Sequence, residues 1–123
     1  MEADIKRLQG LWRQVRFEEN GIVDPIDTHG SPDAVMTIAG ETFHVAIPGS
    51  ETLIEGKFNI DSSASPKCID WIDSIGSDAG KKLPAIYTLG DDVFEFAAAD
   101  AEMQRPQDFT GGSGITIRGF VRI

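Results

Sequence analysis

Beyond Gly10 the chain repeats a single pattern. Short runs of apolar and β-branched residues alternate with polar ones, and each run is stopped by glycine, proline, asparagine or aspartate. A period of two builds strands that bury one face, and strands so short and so evenly punctuated belong to a sandwich or barrel. The runs fall at 11–19, 34–39, 42–47, 52–61, 67–74, 83–89, 92–98 and 115–123, which gives eight candidate strands. Ahead of them, Asp4 is placed to cap, Ile5 and Leu8 share a face, and Gly10 is a stop, so one or two turns of helix are expected. Three connections are short enough for hairpins: Gly40-Glu41, residues 48–51, and Gly90-Asp91, where the glycine is expected to supply a positive φ in a two-residue turn. Residues 20–33 and 99–114 form two long connections, and loops of that length are usually functional or mobile. Consecutive hairpin-linked strands with no helix between them are best satisfied by a meander that closes on itself and so loses its edges. The expected fold is all-β, an eight-stranded antiparallel up-and-down barrel with a short N-terminal helix. At 123 residues it forms one domain spanning 1–123.

Alternation assigns some walls directly. Phe43, Val45 and Ile47 form the inward set of one strand, and Ile54, Gly56, Phe58 and Ile60 that of the next. In the last run Ile115, Ile117, Gly119, Val121 and Ile123 oppose Thr116, Arg118, Phe120 and Arg122, and the first set is read as the inner wall. Gly56 and Gly119 then mark either strand bends or room for a ligand. Two runs stay open. Leu11, Val15 and Phe17 oppose Trp12, Gln14 and Arg16, yet a Trp is too large to leave in solvent; Val93, Glu95 and Ala97 oppose Phe94 and Phe96, so an acid points inward or two aromatics point outward.

Charge excludes some partners. Eleven Lys and Arg against 20 Asp and Glu leave a net charge of −9, a field that repels phosphate backbones and anionic lipid, so neither nucleic acid nor a membrane is an expected partner. A lone Cys68 cannot form an internal disulfide, no run is long enough to span a bilayer, and Met-Glu-Ala-Asp-Ile-Lys-Arg lacks the apolar region of a signal peptide. A cytoplasmic location is expected.

The opening Leu8-Gln9-Gly10-Leu11-Trp12 resembles that of lipocalins, where a short helix runs into Gly-x-Trp and the Trp closes one end of the barrel. The resemblance implies an Arg from the final strand packed over that Trp, here Arg118 or Arg122. A longer series is similar to a lipocalin-like domain family of unknown function abundant in planctomycete bacteria. It comprises the same opening with Glu19-Asn20-Gly21, Gly56-Lys57-Phe58-Asn59-Ile60-Asp61, Pro66-Lys67-Cys68-Ile69-Asp70, Ile86-Tyr87-Thr88-Leu89-Gly90-Asp91 and Arg105-Pro106-Gln107-Asp108-Phe109. Leu11 and Gln107-Asp108 depart from the usual residues of that family. The resemblance implies a calycin-type barrel and brings no catalytic set.

Chemistry-bearing motifs are few. His29, His44 and Cys68 lack metal-ligand spacing, the carboxylates lack a calcium-loop pattern, and neither metal nor cofactor is expected. There is no Gly-x-Ser-x-Gly, and Cys68 reads as a small core thiol. The Gly-rich 110–114 segment has no phosphate-loop sequel. Arg105 is either a structural partner for acids and carbonyls or the receiver of an anionic group at the barrel mouth. The leading expectation is a barrel that binds a small, largely apolar molecule, or acts as an interaction module, with Phe43, Val45, Ile54, Phe58, Tyr87 and Arg105 as the ligand-binding set. The enzymatic alternative draws on Arg16, Glu95, His44 or Tyr87 converging in one pocket. A third reading is a homo-oligomer formed through an outer patch of Phe94, Phe96 and Phe120.

Overall fold

A computed structural model describes residues 3–23, 34–46, 52–75 and 79–123. Helix α1 (Ala3–Leu8) precedes β1 (Gly10–Glu19), β2 (Ile22–Val23), β3 (Val35–Ala39), β4 (Thr42–Ala46), β5 (Thr52–Asp61), β6 (Cys68–Asp73), β7 (Lys82–Leu89), β8 (Val93–Ala99) and β9 (Ile115–Arg122). Strands β3 to β9 pair antiparallel in sequence order, β1 pairs with β3, and β9 returns to β1 with Trp12 opposite Arg122 and Glu19 opposite Thr116. The result is a closed eight-stranded antiparallel up-and-down barrel with one short N-terminal helix, as expected from the alternation. No helix among the described residues is long and apolar enough to cross a membrane.

The two-residue β2 lies outside that count. Asn20 and Gly21 have φ of 53° and 83°, the two positive values a type I′ hairpin requires, so Ile22 and Val23 turn back onto Glu19 and Glu18. The sequence reading assigned them to a loop because two apolar residues make too short a run. Residues 24–33, Ile47 and the 48–51 turn lie outside the described residues, as does His29. The Gly90 turn differs from its prediction: residues 90–92 join β7 to β8, the Gly90 N–H donates to the Val93 carbonyl at 2.8 Å, and Gly90 has no positive φ.

Both ambiguous strands resolve. In β1 the register shifts between Gln14 and Arg16, leaving Val15 as a bulge, 54% exposed, while Trp12, Gln14 and Phe17 are buried. In β8, Phe94 and Phe96 point into the core and Glu95 points out, where its Oε2 lies 3.1 Å from Arg16 Nη1. The inner wall assigned to β9 is the wrong face. Phe120 joins the main core and Arg118 lines the interior, while Ile117 lies outside the barrel with Ile86 and Ala97 under Phe109. The 99–114 connection thus covers the outer wall of β7, β8 and β9. Strands dry on both faces lose the contrast on which an alternation reading depends. Gly119 makes room for the outer ion pair: a Cβ there would lie 3.1 Å from Arg16 Cβ and 3.2 Å from Glu95 Oε2. At Gly56 a Cβ would overlap the Ile72 carbonyl oxygen, so that glycine marks close strand approach and not ligand space.

Aromatic rings fill the axis. Trp12, Phe94, Phe120, Phe96 and Trp71 follow one another with centroid separations of 4.8–6.2 Å. Helix α1 plugs one end, with Leu8 fully buried and its carbonyl accepting the Trp12 Nε1–H at 2.8 Å. Arg122, and not Arg118, lies over Trp12, 4.2 Å from the ring centroid, and donates to the Gln9 and Arg7 carbonyls. Buried Asp4 accepts from the Tyr87 hydroxyl at 2.7 Å and from Lys67 Nζ at 2.9 Å. Burial alone would raise the Asp4 pKa, but these two donors, with the charges of Lys67 and Arg7, outweigh it and hold the group below its ordinary value.

A carboxylate with a depressed folded-state pKa contributes stability above its unfolded pKa and loses it as pH falls through the folded one. Asp4→Asn should therefore lower stability by about 2 kcal/mol at pH 7. The deficit relative to the unsubstituted chain should shrink as pH falls below about 4. Urea titrations of both proteins between pH 7 and pH 2 check this; a deficit constant across that range contradicts it.

Candidate functional site

At the end away from α1 the strands surround a cavity of about 230 Å³. Its wall is built from inward positions on seven strands: Met36, Val45, Ile54, Leu83 and Ala98 supply aliphatic surface, and Phe43, Trp71, Phe96 and Phe120 supply rings. Polar groups enter from Gln14, Glu19, Asp73, Asp100, Thr116 and Arg118. The volume is below the 300–1,000 Å³ of drug-sized pockets, but an apolar cavity of roughly 150 Å³ already accommodates benzene.

Two polar residues define its chemistry. Arg118 Nη1 donates to Gln14 Oε1 at 2.9 Å, and the guanidinium stacks on Phe17, 4.4 Å from the ring centroid. Burial pushes its pKa down to about 10, opposed by the carboxylates of Glu19 and Asp73, so it stays charged at neutral pH. Trp71, 4% exposed, sits at the hub of the aromatic cluster, edge-on to Phe43 at 4.9 Å and tilted against Phe96 at 4.8 Å. Its indole N–H is buried and has no hydrogen-bond partner among the described residues. A buried donor left unsatisfied is costly and rare in a native fold.

Of the expected ligand-binding set, Phe43, Val45 and Ile54 meet at this cavity. Phe58 and Tyr87 are buried in the core without lining it; Phe58 packs on the Trp71 ring and Tyr87 is bonded to Asp4. Arg105 is not at the mouth. It lies against the outer wall, donating to the Ile69 and Ala85 carbonyls at 3.2 and 2.8 Å and to Asp70 Oδ1 at 2.6 Å. Trp71, Arg118, Phe96 and Phe120 were not anticipated as lining residues. The signal for Arg118 and Phe120 was present in β9, where they share a face, but the outer aliphatic set outweighed them.

The residues of the enzymatic alternative do not share a pocket. Arg16 and Glu95 pair on the outer wall, His44 Nε2 bonds Thr52 Oγ1 at 2.7 Å on β4, and Tyr87 is at the plugged end. Phe94, Phe96 and Phe120, expected as an outer patch, are interior. Cys68 is half-buried and lies 3.6 Å from the Pro66 carbonyl, not in the core. Among the described residues no group of three or more His, Cys, Asp or Glu is placed to hold a metal ion. The architecture is a closed eight-stranded barrel, consistent with a calycin-like fold, plugged at one end and hollow toward the other. No known protein-family model, no curated protein and no solved structure matches the chain.

Arg105 ties the 99–114 connection to β6 and β7 through three charge-assisted hydrogen bonds. Arg105→Met should destabilise the barrel by about 2 kcal/mol while leaving the cavity side chains in place. Chemical denaturation together with methyl spectra of Val45, Ile54 and Leu83 tests this. Unchanged stability would show that these bonds hold nothing.

Proposed function

We propose that this chain is a lipocalin-like binding barrel that takes a small, largely apolar molecule into its cavity, and that it belongs to the lipocalin-like family its spaced motifs resemble. The observation that carries the reading is the 230 Å³ cavity itself, aliphatic and aromatic on most of its wall, with a buried indole N–H lacking a partner among the described residues. A filled core would have closed this space, because cavities cost stability in proportion to their volume. The Gly-x-Trp opening, with Arg122 over Trp12, supports the family reading. By proportion to the roughly 150 Å³ that hold the six carbons of benzene, the occupant has about nine non-hydrogen atoms.

Ethylbenzene is a suitable probe. It should shift the Val45, Ile54 and Leu83 methyl resonances saturably, and Ala98→Leu, which grows a lining residue into the space, should weaken binding at least about tenfold. Cavity resonances that ignore ethylbenzene and other probes of its size would remove the proposal.

A second reading, self-association, draws on exposed aliphatic side chains along the closing seam. Leu11, Val93 and Ile123 are 46, 47 and 67% exposed; the Ile123 N–H bonds the Leu11 carbonyl, and Val93 lies opposite Val121. Sedimentation velocity at rising concentration should then show a dimer that Leu11→Lys abolishes, and a strict monomer throughout would dispose of it.

A further inference from the structure

We infer that the molecule this cavity takes carries an uncharged hydrogen-bond acceptor, a carbonyl or ether oxygen, held by the Trp71 indole N–H, and that carboxylates of the same size are turned away. The inference rests on the cavity-binding reading above and names the chemical class of the occupant.

The two tryptophans provide an internal comparison. Both are buried. The Trp12 N–H at the plugged end is satisfied by the Leu8 carbonyl at 2.8 Å, whereas the Trp71 N–H has no acceptor among the described residues. The rings packed on Trp71 are those of Phe43, Phe58, Phe94 and Phe96, none of which carries an oxygen. An indole lacks any acceptor of its own, and its Nε1 exposes almost no surface to the cavity, so a partner has to bring the acceptor and turn the ring toward it. A site built to hydrogen-bond one polar atom discriminates strongly against an isostere lacking it, because the isostere leaves the donor unpaired.

Charge narrows the class further. Among the described lining residues, Glu19, Asp73 and Asp100 are opposed by the single guanidinium of Arg118, which already stacks on Phe17 and bonds Gln14. The carboxylates of Glu19 and Asp73 also act directly on Arg118. Another anion entering this space passes the exposed Asp100 and half-buried Glu19 and meets the buried Asp73 within, against one guanidinium that is already engaged. The occupant's acceptor is therefore neutral.

Three probes of matched size separate these features: acetophenone, which has the ring and a carbonyl; α-methylstyrene, which replaces the carbonyl oxygen with a methylene; and benzoate, which is charged. Calorimetry or ligand-observed NMR should show acetophenone binding roughly tenfold or more tighter than α-methylstyrene, with benzoate weakest. In Trp71→Phe, which keeps an aromatic wall and loses the N–H, the ratio between ketone and hydrocarbon should fall to about one. Should that variant not fold, the unsubstituted protein still decides the matter. Acetophenone should move the Trp71 indole N–H resonance downfield while the Trp12 signal stays in place, and α-methylstyrene should not. Hydrocarbon and ketone binding equally, an unmoved Trp71 resonance, or benzoate binding tightest would overturn the inference and leave cavity binding intact. Failure of all three probes to bind would instead overturn cavity binding, and this inference with it.

Discussion

The register between β1 and β9 is the constraint on which the rest of the barrel depends. It sets Trp12 opposite Arg122, Gln14 opposite Phe120 and Phe17 opposite Arg118. The first of these pairs is the stack that holds the plug, and the last is the stack that holds the buried guanidinium beside the cavity. Trp12 and Phe17 are an odd number of residues apart, so a regular strand would send one of them to solvent. The bulge at Val15 adds the missing residue and lets both face inward along one closing seam. A slip of one position would put Leu11 or Arg13 opposite Arg122 and Arg16 or Glu18 opposite Arg118, abolishing both stacks, which explains why closure is specific and not merely favourable.

That seam also separates the two ends of the molecule chemically. At the plugged end the polar groups are arranged in mutually satisfying sets: Asp4 with Tyr87 and Lys67, Gln9 with the Ile5 and Gly40 carbonyls and the Gly40 N–H, and Arg122 with the carbonyls of Arg7 and Gln9. Apart from the Gln9–Ile5 bond, each joins α1 or its exit to a strand or to a residue flanking one, so a six-residue helix too short to persist alone is held as part of the wall. The hollow end is organised differently. There charged groups share space with rings and aliphatic side chains, and a dielectric lower than that of water magnifies every unbalanced charge.

The fold was legible in the sequence where burial is one-sided. Phe43, Val45, Ile54 and Phe58 alternate with polar neighbours, and their strands read correctly. Legibility failed where a second layer of packing hides the alternation. Ile86, Ala97 and Ile117 are dry because Phe109 covers them from outside, so their faces looked like inner wall and Arg118 and Phe120 were passed over. Arg105 stayed open between two roles for a related reason: a loop can fold down over the wall or stand at its rim, and local sequence does not distinguish the two; the structural role is the one observed. The bulge at Val15 had no glycine or proline to announce it. Of the candidate site, the aliphatic wall could be read from alternation, whereas Trp71 required the three-dimensional neighbours that surround it.

The contrast between Trp12 and Trp71 shows that hydrogen-bond accounting separates residues that burial alone does not. Both indoles are almost wholly removed from water, and on burial alone they are equivalent core residues. One is completed by a carbonyl that the helix places there; the other is enclosed by hydrocarbon and rings. If Trp71 served only to fill space, a phenylalanine would fill most of it without the cost of stripping water from an N–H. A tryptophan in that position leaves its donor without an acceptor among the described residues, beside a cavity, and that is the observation on which the proposed occupant rests.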